Sequence, residues 1–136
     1  MIGVVIFTHA QMGRALLEAV GMIIGPVAGA AAVAVRREAG VEELRQELAA
    51  ALTEVGADTH GAIIMTDMFG GSPSNISTAF LEPGRIEVIT GVNLPMLLKF
   101  FSSRSNFPVP VLAANLRDYG RQGVVLASDL LQQDQS

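Results

Sequence analysis

Cysteine is missing from these 136 residues. That excludes a disulfide scaffold, a Cys-type zinc site and thiol catalysis, and it fits a cytoplasmic protein. Charge is sparse: 16% of residues, with a net of −4, so no nucleic-acid partner is expected. Histidine occurs only twice, as His9 and His60. The single tyrosine, Tyr119, stands far along the chain. No basic stretch precedes the first apolar run, so no signal peptide is read. Repeats, low-complexity tracts and linkers are absent too. The length suits one domain, expected over 1–131, with a frayed tail at 132–136.

What is abundant is apolar: half the residues are hydrophobic, which predicts strands buried on both faces. Ala15–Val35 approaches the length of a membrane span. Gly21, Gly25, Pro26 and Gly29 interrupt it, however, and Glu18 would sit in lipid. A helix, a Gly-Pro turn and a short strand is the better division. The pattern predicts strands at Ile2–Phe7, Ala30–Val35, Gly61–Met65 and Arg85–Thr90, and a final short one at Gly123–Ala127. Helices are expected over Gln11–Ile24, Val41–Val55, Ser72 to about Leu81, Asn93 to about Phe101 and Pro108 to about Tyr119. Ser72-Pro73 reads as a helix start, with the serine as N-cap and proline in the first turn.

Alternating strands and helices call for a doubly wound α/β fold with a mostly parallel five-stranded sheet, in the flavodoxin-like order 2-1-3-4-5. That order makes strands one and three neighbours, about 4.8 Å apart. His9 then meets Asp67 where the winding reverses, at the carboxyl ends of the strands. A carboxylate on one imidazole nitrogen fixes the tautomer and leaves the other free as nucleophile or ligand. Gly70 and Gly71 admit close backbone approach, and the helix start with the Ser72 hydroxyl offers N–H groups to an anion such as a phosphoryl group. Together these residues compose a phosphohistidine site. No cofactor is called for. His60 falls at the opposite end of the sheet, so no metal centre is expected.

The stretches FTHAQMGRALLEAV, TDMFGGSPSN and GVNLPMLLKFF resemble the enzyme IIA domain of the mannose family of the bacterial phosphoenolpyruvate-dependent sugar phosphotransferase system (PTS). The likeness runs from about Met1 to Ala127, in the family's motif order. It implies a phosphotransferase in which His9 accepts a phosphoryl group from the phosphocarrier HPr and passes it to enzyme IIB, while Asp67 holds the ring. It also implies a cytoplasmic homodimer whose last strand, Gly123–Ala127, runs antiparallel in the partner's sheet. Contact with the membrane would be indirect, through permease subunits. The chain stops soon after that strand, so IIB is expected as a separate protein. Phe69 stands where a tryptophan would also be accepted, and the Gly25–Val27 loop is shorter and less polar than expected.

Phosphotransfer between proteins needs a shallow site with an apolar rim, for which Met12, Met68 and Phe69 are the candidates. The plain alternative is that they are core. Asp67 alone would be a turn residue, Ser72 a cap and the glycines turn residues; only the pairing with His9 raises them. A flavodoxin would need a hydroxyl-rich loop after strand one, and a receiver domain would need acidic residues there. A serine hydrolase built on Ser72 lacks the closing glycine of the nucleophile elbow. Within the family, a free-standing regulatory IIA or a phosphoryl donor to a dihydroxyacetone kinase would carry the same residues.

Overall fold

A computed structural model describes residues 1–134. The first strand, β1 (Gly3–His9), leads into α1 (Met12–Ile24), β2 (Ala30–Val35) and α2 (Val41–Glu54). A single turn of helix, α3 (Ala57–His60), precedes β3 (Ala62–Thr66). Then come α4 (Ser72–Thr78), β4 (Ile86–Thr90), α5 (Leu94–Ser103), α6 (Val109–Gln122) and α7 (Ala127–Asp134).

All strand pairs are parallel, in the order β2-β1-β3-β4. The two-residue periodicity of a strand divides β1 between two cores. Val4 and Ile6 face α1, α5 and α6, packing with Val20, Leu97, Phe100 and Leu112. Val5 and Phe7 face α2 and α4, packing with Leu44, Leu48, Leu52 and Ile76. Burial on both sides explains why β1 is an unbroken apolar run. Each fully buried side chain such as Phe7 or Phe100 contributes about 2 kcal/mol of transfer free energy.

The C-terminus of one copy does not contain the expected fifth strand. Among the described residues the sheet has four strands, not five. Helix α6 runs on to Gln122, Val124–Leu126 belongs to no strand, and α7 follows. The physical reason is that a strand exists only where a neighbour takes its hydrogen bonds. Within one copy of the chain this segment reaches none. Of the expected tail, Gln132–Asp134 lies within α7, and residues 135 and 136 lie outside the described residues. Two smaller differences concern α4, which stops at Thr78 and gives way to turns before Leu81, and α3, which was not anticipated. None of the helices in the described residues is long and apolar enough to cross a membrane.

Candidate functional site

Strand register fixes where the two candidate side chains emerge. Phe7 pairs with Thr66, and His9 pairs with Val35 on the other side. The chain therefore leaves β1 and β3 at adjoining points, and the loops that carry His9 and Asp67 meet. The Asp67 Oδ2 lies 2.8 Å from His9 Nδ1 and also accepts the His9 backbone N–H at 3.0 Å. The other carboxylate oxygen, Oδ1, accepts the Met68 N–H at 3.1 Å.

Asp67 thus accepts three hydrogen bonds while its side chain is only 11% exposed; the His9 side chain is 48% exposed. Burial acts to raise the Asp67 pKa, but hydrogen bonds from the His9 ring and backbone N–H outweigh it and hold the carboxyl below the ordinary carboxylate value. An ionised Asp67 takes a proton-bearing Nδ1 as its donor. In that tautomer Nε2 keeps its lone pair, on a half-exposed side chain and without a protein hydrogen bond among the described residues.

The wall beside Nε2 is Gly71. A Cβ there would stand 3.0 Å from His9 Cε1 and 3.6 Å from Nε2. Glycine at this position keeps the outer face of the ring open. Gly70 turns the loop with a φ of +89°, a conformation that side chains resist. The structure corrects the assignment of Ser72. Gly71, in extended conformation, occupies the N-cap position of α4, Ser72 is its first helical residue, and no side chain caps the helix. Ser72 is exposed. The backbone at Gly71 reaches the extended geometry a cap requires, so the helix begins one residue earlier than Ser-Pro suggests.

Met12, Met68 and Phe69 are all exposed, Phe69 by 84%. They are not core. His60 sits before β3 at the far end of the sheet, beside Met1 and Phe107. Among the described residues no three acidic or histidine side chains gather as a metal site. The sequence reading passed over Thr8. Its hydroxyl is fully buried, donates to the His9 carbonyl at 3.1 Å and accepts the Gly13 N–H at 2.9 Å. The available signal was a lone hydroxyl at the end of an otherwise apolar run.

A carboxylate-held histidine at the switch point of a parallel α/β sheet defines a class of proteins that can do nucleophilic or ligand chemistry at one free imidazole nitrogen. Comparison with known proteins narrows the class. Residues 3–116 match the family model described as "PTS system fructose IIA component". The chain is 32% identical over 133 residues to the "PTS system fructose-specific EIIA component" of Bacillus subtilis (strain 168), covering 97% of this chain and 90% of that protein. It is 30% identical over 125 residues to the "PTS system mannose-specific EIIAB component" of Escherichia coli (strain K12), covering 90% of this chain but 38% of that longer protein. The crystal structure of phosphotransferase system component EIIA from Streptococcus agalactiae superposes with a TM-score of 0.86 at 25% identity, covering 95% of this chain and 99% of that one. The mannose/sorbose-specific IIA subunit from Enterococcus faecalis gives 0.80 at 29% identity, covering 92% and 93%. The chain belongs to the PTS fructose/mannose-family IIA components, and membership implies a phosphoryl-carrier role.

Proposed function

We propose that this protein carries a phosphoryl group on Nε2 of His9, taking it from phospho-HPr and giving it to enzyme IIB. The observation that carries the reading is the 2.8 Å contact between Nδ1 of the half-exposed His9 ring and Asp67. The Nε2 lone pair attacks phosphorus and a P–N bond forms. The P–N bond to the donor histidine breaks, and its electron pair returns to the donor nitrogen. Nδ1 keeps its proton, and Asp67 offsets the positive charge that builds on the ring. Backbone N–H groups at Gly70, Gly71 and Ser72, with the Ser72 hydroxyl, receive the phosphoryl oxygens. Exposed Met12, Met68 and Phe69 form the rim against which the two partners dock in turn.

Dimerisation by exchange of the C-terminal segment is part of the same proposal. Val124, Val125, Leu126, Leu130 and Leu131 are all exposed in one copy. Apart from a local bridge between Ile86 and Glu82, the outer edge of β4 has no strand neighbour among the described residues, and it borders a cavity of about 660 Å³ against α6. A partner's Val124–Leu126, antiparallel to β4, satisfies that edge and covers its own apolar residues. The identity of the final acceptor rests on the family alone. A regulatory partner or a dihydroxyacetone kinase would use the same site.

The test is incubation with phosphoenolpyruvate, enzyme I and HPr. One acid-labile phosphate per chain is expected, lost in His9→Ala and kept in His60→Ala. Labelling retained in His9→Ala overturns the reading.

A further inference from the structure

We propose that Thr8 is a positioning residue for His9, its buried hydroxyl fixing the strand-to-helix junction that aims the imidazole. The proposal rests on His9 being the phosphoryl acceptor.

Thr8 is fully buried, and both hydrogen-bonding capacities of its hydroxyl are in use. Its proton goes to the His9 carbonyl, and a lone pair accepts the Gly13 N–H in the first turn of α1. The residue at the N-cap position of that helix, Gln11, contributes no side-chain cap. Thr8, one strand position before His9, supplies the cap instead. The bond requires α1 to press closely on β1. Gly13 permits this, since a Cβ there would come within 3.0 Å of the Ile6 carbonyl oxygen and 3.1 Å of its Cγ2.

The neighbours complete the clamp. The His9 N–H is held by Asp67, and the Ala10 N–H by the Val35 carbonyl at 3.1 Å. Ala10 has a φ of +50°, the left-handed region that a non-glycine residue adopts at a cost. Three consecutive residues are therefore tied to three different elements: Thr8 to α1, His9 to the loop after β3, and Ala10 to β2. With its N–H and its carbonyl both engaged, His9 has little freedom beyond its two side-chain torsions. Asp67 takes up the rest. Thr8 acts through the backbone of His9 and never touches the phosphoryl group.

Thr8→Val keeps the shape and removes the hydroxyl. The buried Gly13 N–H then loses its acceptor, and the first turn of α1 must shift to recover one. Thr8→Ser keeps the hydroxyl. Three measurements on the full chain decide the matter: folding by circular dichroism, the phosphotransfer rate constant against HPr concentration, and the His9 tautomer by ¹⁵N NMR of the unphosphorylated protein. Support is a folded Thr8→Val with a rate constant about tenfold lower, consistent with a sub-ångström displacement of the nucleophile. Its half-saturating HPr concentration stays unchanged and its Nδ1–H population falls, while Thr8→Ser restores both rate and tautomer.

The proposal is overturned by wild-type transfer in Thr8→Val, by Thr8→Ser being as slow as Thr8→Val, or by slow transfer with an unaltered tautomer. A Thr8→Val protein that does not fold also overturns it, because the hydroxyl would then be a requirement of folding. If the wild-type protein takes no phosphate on His9, the phosphoryl-carrier reading fails. The tautomer ratio still shows whether Thr8 orients the ring.

Discussion

His9 and His60 are the same side chain at opposite ends of one sheet, and both are exposed. Their surroundings differ completely. His9 follows the carboxyl end of β1, where the loop from the neighbouring parallel strand delivers a carboxylate to its Nδ1. His60 closes the short α3 ahead of β3, and its ring has no hydrogen bond among the described residues. Parallel topology produces this asymmetry. All strands point one way, so the loops that follow them converge at one end, and there the loop after β3 meets the end of β1. Asp67 is 58 positions from His9 and reaches it for that reason.

The comparison breaks most completely with His9→Ala, which is expected to abolish phosphoryl acceptance, measured by acid-labile label. Next is Asp67→Asn. It keeps the shape of the side chain and removes the charge, and transfer is expected to slow by about a hundredfold, as when a partner that orients a histidine is lost. The same variant carries a stability signature. The Asp67 pKa is lowered in the folded state, so its contribution is present above the unfolded carboxylate value and fades as pH falls through the folded one. The difference in denaturant midpoint between wild type and Asp67→Asn should therefore be largest near neutrality and shrink in acid below about pH 4. A difference that grows in acid would contradict the assignment.

Gly71→Ala is expected to have a smaller effect. Its φ of −85° accepts alanine without backbone strain, so any change comes from the added methyl against the His9 ring. Transfer should fall about tenfold while folding is kept, since misplacement of reacting groups by less than an ångström is enough. Phe69→Ala follows. Removing an exposed aromatic anchor should cost about 1 kcal/mol of partner binding. It should be read as a several-fold rise in half-saturating HPr with thermal stability little changed. A large stability loss with normal HPr affinity would remove Phe69 from the rim. The smallest effect is expected for His60→Ala, with wild-type transfer throughout.

The site could be read in the sequence to the extent that strands could. β1 and β3 are apolar runs buried on both faces, and the residues that end them announce where each strand stops. Once the neighbours were assigned, the meeting of His9 and Asp67 followed from topology. The clamp around His9 was not visible. The partner of Thr8 is a backbone N–H five residues on, and nothing in the identity of Gly13 marks it as a donor. Ser72 was misplaced by one position because Ser-Pro is a strong helix-start signal, while the extended backbone of Gly71 took the cap position. The fifth strand was expected from the run Gly123–Ala127. Its apolar residues are exposed in a single copy, and a strand needs a neighbour that sequence pattern cannot supply. α3 is four residues long with mixed polarity, too short to show a helical period.

The most direct test of the account locates the phosphorus atom itself. ¹⁵N-labelled protein phosphorylated through HPr is examined by NMR for ¹⁵N–³¹P coupling. The account predicts coupling at Nε2 of His9, with Nδ1 still protonated against Asp67. Coupling at Nδ1 of His9, or a phosphate on any other residue, would contradict it.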